Sequence, residues 1–206
     1  MSTQVKICGV TSVEDAFMAA EAGADMIGLM FYDKSPRHIS LPVAAEIAHA
    51  VPSLVLRVGV FVDPTEELVR SAIAECGLGL LQFHGNETSD FCTQFGLMSV
   101  KAIRIRDESS LSALANYHTD AFLLDAYSAA AFGGTGEKFN WDLAVEAKKA
   151  GKPIILAGGL TPENVAAAAL YVRPLAVDVS SGVESAPGKK DPDKVRAFIK
   201  AAKSVV

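Results

Sequence analysis

Short aliphatic runs alternate with amphipathic, alanine-rich patterns along the whole chain. Eight runs end near residues 8, 31, 61, 83, 103, 125, 157 and 179, and a helical pattern follows each one. The strand candidates are QVKIC, DMIGLMF, VLRVGVF, LGLLQF, MSVKAI, AFLLD, PIILA and LAVDVS. Because parallel strands need a crossover connection, strict β-then-α alternation predicts one parallel sheet covered by helices.

Eight such units fit either an open doubly wound sheet or a closed barrel. The number of units, and the absence of G-x-G-x-x-G after the first strand, favour the barrel. No Gly/Ser linker or low-complexity tract divides the 206 residues. We therefore predict an α/β fold, a (β/α)8 TIM barrel, built as a single domain over residues 1–206.

Composition narrows the class of protein. The formal net charge of −5 argues mildly against a nucleic-acid surface. No apolar run approaches the ~20 residues that span a bilayer, and the first residues do not read as a signal peptide. Cys8, Cys76 and Cys92 show no C-x-x-C spacing. These features predict a cytoplasmic protein that binds neither nucleic acid nor membrane and holds no metal.

Two glycine-containing loops follow the last two strands. LAGGLTPENV places Gly158 and Gly159 between a strand and a helix, and DVSSGVE places Ser181 and Gly182 one unit later. Barrel phosphate sites are typically built from the loops after strands seven and eight. The alternative is a pair of tight turns that need positive φ. Together they predict a barrel of the phosphate-binding type; GGTGEKF after strand six is a third glycine-rich loop that could border the phosphate or cover it.

Lys6 and Cys8 lie two residues apart in the first strand, so both side chains face the barrel interior. A lone strand cysteine is commonly a small buried apolar residue, and a buried lysine needs an ion pair, for which Asp178 on strand eight is the obvious partner. At the carboxyl end of a strand, however, a thiol faces the expected site. A neighbouring ammonium favours the thiolate, which can accept a proton.

Three further side chains are candidates with open alternatives. Asp125 ends an apolar strand. Its carboxyl group could cap a helix, form an ion pair or act as a catalytic acid with a raised pKa. Arg37, in KSPRHIS, offers a planar fork for a carboxylate or is a solvated loop residue. His84, in LQFHGNE, binds a ligand or orders its loop.

Taken together and in order, several motifs resemble the phosphoribosylanthranilate isomerases of tryptophan biosynthesis. They are KICG-T (6–11), SPRHIS (35–40), VGVFV (58–62), Q-HG (82–85), LLD (123–125), GGTG (133–136), LAGGL-P-NV (156–165) and DVSSGVE (178–184). The resemblance covers nearly the whole chain. Small departures, phenylalanine within QFHG and FNW after the glycine loop, touch neither the proposed acid nor the proposed base.

The resemblance implies an Amadori rearrangement of an aminoaldose phosphate without a cofactor. It makes Asp125 the general acid and Cys8 the general base, and Arg37 the residue that meets the anthranilate carboxylate. The phosphate is expected at Gly158, Gly159, Ser181 and Gly182, with Lys6, His84 and Asp178 as supporting groups. The expected partner is a small phosphosugar, and a monomer is expected over a homodimer.

Three rival functions stay open at this stage. The related isomerase of histidine biosynthesis places aspartate where Cys8 stands and has a second phosphate loop, which GVFVDPT does not resemble. A Schiff-base aldolase would need a reactive barrel lysine, Lys101 or Lys6. A phosphosugar-binding module would bind ligand without turnover.

Overall fold

The computed structural model describes residues 3–126 and 141–205, and its eight parallel strands close into a barrel in sequence order. The barrel closes through β1 and β8, where Lys6 is in register with Asp178. The prediction of a (β/α)8 barrel is confirmed. The strands are β1 (Gln4–Cys8), β2 (Met26–Met30), β3 (Leu56–Phe61), β4 (Leu80–Phe83), β5 (Met98–Ile105), β6 (Ala121–Ala126), β7 (Ile154–Ala157) and β8 (Ala176–Val179).

Helices surround the barrel where the amphipathic patterns predict them. Ser12 caps the first helix by accepting a hydrogen bond from the Asp15 N–H, and Thr65 caps the third in the same way. No helix among the described residues has the length and apolar character to cross a membrane. The helices are α1 (Val13–Glu21), α2 (Leu41–Ala50), α3 (Glu66–Cys76), α4 (Ser89–Thr93), α5 (Trp141–Ala147), α6 (Val165–Val172) and α7 (Pro192–Lys203).

The fifth helical pattern forms a different helix from the one its sequence suggests. Residues Glu108–Asn116 form a 3-10 helix rather than an α-helix. Asp107 and Ser110 form a capping box at its start, and three serines lie within the segment. Serine hydroxyls bond locally to the backbone and compete with the α-helical ladder, which favours the shorter 3-10 pattern.

A two-stranded hairpin between β8 and α7 was not predicted. Its antiparallel strands are β9 (Glu184–Ala186) and β10 (Lys189–Lys190), too short to show an alternating pattern. Gly188 has a φ of +81° in the turn and follows Pro187. A Pro-Gly pair marks a turn, so that dipeptide was the available signal. The hairpin lies directly after the DVSSGVE motif.

The sheet separates two apolar clusters. Outward-facing strand residues such as Val5 and Ile7 pack against the helices, while inward-facing residues such as Leu123 and Ala157 fill the barrel interior. The period of two therefore assigns each strand residue to one cluster. Lys6, with no exposed surface, interrupts the apolar interior, and it lies on the same face as Cys8.

Candidate active site

A cavity of about 700 Å³ opens at the carboxyl ends of the barrel strands. Every candidate site residue predicted from the sequence lines it except Lys6, which lies fully buried next to it. The predicted residues that line the cavity are Cys8, Arg37, His84, Asp125, Gly158, Gly159, Asp178, Ser181 and Gly182. The third glycine-rich loop, GGTGEKF, lies outside the described residues.

Lys6 forms the ion pair that its strand position predicts. Its Nζ lies 2.8 Å from Asp178 Oδ1, and both side chains are buried. Burial opposes the charge of Lys6, but Asp178 and the neighbouring Cys8 raise the lysine pKa above its ordinary value. The ammonium is therefore protonated at neutral pH.

Gly28 on β2 allows the thiol and this ammonium to lie side by side. A Cβ at Gly28 would lie 2.7 Å from Cys8 Sγ and 3.2 Å from Lys6 Nζ. Any larger residue there would displace one of the two groups. Sequence reasoning did not single out Gly28, because its contacts come from the neighbouring strand.

The thiol of Cys8 is more difficult to ionise than the sequence suggested. Burial raises its pKa, and the charge on Asp178 adds to this, while Lys6 lowers it without cancelling the effect of burial. The direction of the Lys6 effect agrees with the sequence prediction, because the ammonium lowers the thiol pKa and so limits the rise that burial causes.

Asp125 is the penultimate residue of β6 and lies at the cavity wall. Among the described residues its side chain makes no ion pair and no hydrogen bond, so the cap and ion-pair interpretations have no support there. Burial and the charge of Asp178 raise its pKa, while Arg104, its register partner on β5, lowers it. A carboxyl group with a raised pKa retains a proton to higher pH, as a general acid requires.

The two loops after β7 and β8 meet at the cavity, and their strands lie between β6 and β1 in the barrel. Gly158 and Gly159 both have positive φ, at +83° and +64°. A Cβ on Gly182 would lie 2.0 Å from the Leu160 carbonyl oxygen, so only glycine allows the two loops to touch there. Glycine backbone at this end of a barrel exposes N–H groups to an anion.

Arg37 lines the cavity but is already held by a carboxylate of the protein. Its Nε and Nη2 donate to the two carboxylate oxygens of Glu184 at 2.7 and 2.6 Å. This bidentate pair raises the arginine pKa. No described residue accepts a hydrogen bond from Nη1, so the proposed carboxylate contact would use that edge of the fork.

His84 is a neutral group at the cavity. Burial lowers its pKa to about 3, and the nearby cations Lys6, Lys101 and Arg104 contribute. Its ring contacts the Gln82 side-chain amide, so its loop is ordered by the barrel interior. At neutral pH it can exchange hydrogen bonds but carries no charge. Among the described residues, no group of three His, Cys, Asp or Glu side chains forms a metal site.

A closed parallel barrel whose cavity at the carboxyl ends of the strands joins a thiol, a carboxyl group and two glycine-containing loops is typical of the class of (β/α)8 barrel enzymes. Residues 5–201 match the family model described as N-(5′-phosphoribosyl)anthranilate (PRA) isomerase. The chain belongs to this family.

Individual relatives agree with the family match. The chain is 55% identical over 203 residues to the N-(5′-phosphoribosyl)anthranilate isomerase of Geotalea uraniireducens, covering 98% of this chain and 100% of the relative. The phosphoribosyl anthranilate isomerase crystal structure from Thermotoga maritima superposes with a TM-score of 0.91 at 41% identity, covering 98% of this chain and 100% of that one. Another isomerase structure, in complex with reduced 1-(o-carboxyphenylamino)-1-deoxyribulose 5-phosphate, gives a TM-score of 0.88 at 39% identity over 98% and 100% of the two chains.

Proposed function

We propose that this chain converts N-(5′-phosphoribosyl)anthranilate to 1-(2-carboxyphenylamino)-1-deoxyribulose 5-phosphate, with Cys8 as the general base and Asp125 as the general acid. The observation that carries the proposal is that one cavity joins a thiol, a carboxyl group of raised pKa and two glycine loops. The thiol lies at the end of β1, the carboxyl group at the end of β6, and the two loops follow β7 and β8. A relative solved with a reduced product analogue supports the ligand class.

The reaction is an internal proton transfer, so the chain's own groups can supply every step. Asp125 protonates the furanose ring oxygen, and the ring opens to an iminium ion. The iminium acidifies the C2′ proton, which the Cys8 thiolate removes to give an enolamine. Tautomerisation of the enolamine, in which the C2′ hydroxyl loses a proton and C1′ gains one, yields the ketone. Cys8 then releases its proton and Asp125 is reprotonated through solvent, which restores both groups. No electrons leave the substrate, so the scheme requires neither metal nor organic cofactor.

The binding groups are proposed from the same cavity. Backbone at Gly158, Gly159, Ser181 and Gly182 receives the 5′-phosphate, and Arg37 receives the anthranilate carboxylate through its Nη1 edge. Asp178 holds Lys6 charged below the thiol. His84, neutral at working pH, offers a hydrogen bond to the substrate.

The Schiff-base alternative is weakened by the state of both barrel lysines. A Schiff-base lysine must be deprotonated to attack a carbonyl. Lys6 is held charged by Asp178. Lys101 donates to Glu87 and to the Gly85 carbonyl, each at 2.6 Å, and does not line the cavity.

The decisive experiment measures loss of anthranilate fluorescence on adding the wild-type chain to N-(5′-phosphoribosyl)anthranilate, with the histidine-pathway substrate in parallel. Asp125→Asn and Cys8→Ala should each lower kcat by about 10²- to 10⁴-fold while binding of the reduced product analogue persists. Near-wild-type turnover by either variant refutes its assigned role. Turnover of the histidine-pathway substrate alone, or binding without turnover, refutes the proposed reaction.

We propose that the chain is a single-domain monomer in the cytoplasm. A Thermotoga maritima relative is described as dimeric, so light scattering on the purified chain is the direct test. A mass near twice 21.7 kDa would overturn the monomer.

A further inference from the structure

Two buried charged residues close to the cavity have no part in the proposed proton transfers. Glu184 begins β9 and Lys190 ends β10, and only 8% and 2% of their surfaces are exposed. Their side chains pair at 2.9 Å. Burying two charges is costly unless their remaining hydrogen-bonding capacity is satisfied, so their other partners indicate what the pair does.

Glu184 fixes the plane of the Arg37 guanidinium. Both carboxylate oxygens accept from the fork, on Nε and Nη2. The arginine stem lies over Gly9, where a Cβ would approach Arg37 Cδ to 2.5 Å. Arg37 is therefore held on one side by a bidentate pair and on another by close packing against the end of β1.

Lys190 has three acceptors for the three protons of its ammonium group. One is Glu184 Oε1, and the others are the backbone carbonyls of Cys8 at 2.6 Å and of Ser180 at 3.3 Å. Cys8 carries the proposed base, and Ser180 directly precedes the phosphate loop residue Ser181. One ammonium thus touches the backbone of two parts of the site.

The hairpin that carries both residues is itself fixed to the first β/α loop and to the first turn of α1. The Lys190 N–H donates to Asp15 Oδ2 at 2.9 Å, and the Thr11 hydroxyl donates to the Gly188 carbonyl at 2.5 Å. Both partners come from the segment that follows Cys8. The hairpin therefore moves with the end of β1.

We propose that Glu184 and Lys190 are positioning residues that set the spacing between the carboxylate, base and phosphate subsites. They link Arg37, Cys8 and the Ser180–Gly182 loop through one buried pair. This inference rests on the proposed function, in which Arg37 receives the carboxylate of the substrate. A fork held in one plane selects a planar carboxylate better than a mobile arginine does.

The test compares two ligands of the purified chain by calorimetry. One is reduced 1-(o-carboxyphenylamino)-1-deoxyribulose 5-phosphate, and the other is the same molecule without its carboxylate. The carboxylate ratio is the Kd of the second divided by the Kd of the first. Glu184→Gln should lower this ratio about tenfold because Arg37 loses its fixed pose, with the Kd for inorganic phosphate unchanged.

Glu87→Gln is the matched control, because Glu87 also forms a buried pair with a lysine, at 2.6 Å, but contacts none of the three subsites. It should lower the Tm as Glu184→Gln does and keep the wild-type carboxylate ratio. Glu184→Asp retains the charge with a shorter reach, and it should lower the ratio even if Glu184→Gln fails to fold. Lys190→Met should lower kcat and the ratio together, each about tenfold.

The outcomes separate this inference from the proposed function. A wild-type ratio in both Glu184 variants, or an equal fall in Glu87→Gln, overturns the positioning role. A wild-type kcat and ratio in Lys190→Met removes Lys190 from it. If the wild-type chain neither binds the carboxylated ligand nor turns over N-(5′-phosphoribosyl)anthranilate, the proposed function fails first.

Discussion

At the barrel mouth, the loops after β7 and β8 present glycine and serine backbone to the cavity, whereas the ends of β1, β6 and β8 present a thiol and two carboxyl groups above a buried ammonium. Backbone N–H groups do not titrate, and their position depends on whether the loops can pack closely. The other side depends on charges whose pKa values are set by burial. The loops after β7 and β8, here the phosphate side, should therefore respond to steric change. The thiol and carboxyl groups, here the catalytic side, should respond to pH.

The pKa directions determine how the second side responds to pH. The proposed mechanism requires Cys8 ionised and Asp125 protonated, yet the pKa of the thiol is raised from an ordinary value that already lies above that of a carboxyl group. Below the Asp125 pKa, activity rises with pH because the thiolate fraction grows. Above the Cys8 pKa, activity falls because Asp125 keeps losing its proton. The ascending limb of kcat/KM thus reports Asp125, the descending limb reports Cys8, and the plateau height falls as the gap between the two pKa values widens.

The largest effect is expected on the phosphate side, from Gly182→Ala. Its Cβ would meet the Leu160 carbonyl oxygen at 2.0 Å, so the two loops must separate. A displacement of about 1 Å is expected to lower kcat/KM about a hundredfold, mainly through KM, and to weaken inhibition by inorganic phosphate. Both pH limbs should stay at their wild-type positions.

Gly159→Ala is the matched control on the same side. Gly159 has a φ of +64°, but no atom of residues 3–126 or 141–205 lies within 4 Å of an added Cβ. Only the left-handed backbone is strained, by about 1–2 kcal/mol, so we expect a much smaller rise in KM than in Gly182→Ala. Equal effects of the two variants would show that loop contact is not what shapes the phosphate side.

The two sides also differ in how far sequence alone could describe them. The positions of the two glycine-containing loops at the cavity were predicted to the residue, because glycines after known strand numbers carry that information locally. Their binding of phosphate stays a prediction. The Lys6–Asp178 pair was predicted as well, because it follows from strand neighbours and the period of two. The net pKa of Cys8 was not, because burial by many residues outweighs one nearby charge, and such a balance needs coordinates.

The contacts of Glu184 could not be predicted from sequence either. It stands in the DVSSGVE motif, yet its link to Arg37 spans 147 positions of sequence. Nothing local to either residue indicates the contact. The hairpin that presents Glu184 is held by Asp15 and Thr11, at sequence separations of 175 and 177 positions. Contacts between loops of a barrel are set by closure of the sheet rather than by any pattern within one unit.

An intermediate effect is expected from replacing the charge pair on the catalytic side. Lys6→Met alone leaves Asp178 buried without its partner, at a cost of about 3–5 kcal/mol in the free energy of unfolding. The double variant Lys6→Met, Asp178→Asn removes both charges. Loss of Lys6 raises the Cys8 pKa and loss of Asp178 lowers it; the Lys6 effect is the larger, so the Cys8 pKa should rise. The Asp125 pKa should fall because Asp178 is lost.

A wider gap between the two pKa values lowers the plateau of kcat/KM, about tenfold for one pKa unit. The ascending limb of the kcat/KM profile should move to lower pH and the descending limb to higher pH. Inhibition by inorganic phosphate should change little. The control is the double variant Lys101→Met, Glu87→Gln, which removes a second buried ion pair. Both limbs of its kcat/KM profile should stay at the wild-type pH. A double variant with the wild-type plateau would mean that the Lys6 charge does not assist the thiol.

The smallest effect, and one of opposite sign, is expected from Arg104→Gln. Arg104 lowers the pKa of Asp125 from an exposed position at the mouth, so its influence is partly screened by solvent. Its removal should raise the Asp125 pKa, move the ascending limb to higher pH and raise the plateau roughly twofold to threefold by narrowing the gap. Titration of the substrate phosphate near pH 6 is common to both proteins and cancels in the comparison. Arg104→Lys keeps the charge and should match the wild type, and added salt should shrink the difference. If Arg104→Gln instead lowers the plateau and leaves the ascending limb at its wild-type pH, Arg104 belongs among the groups that bind substrate. The site would then contain, besides the pH-sensitive and the steric side, a group that binds substrate by its charge.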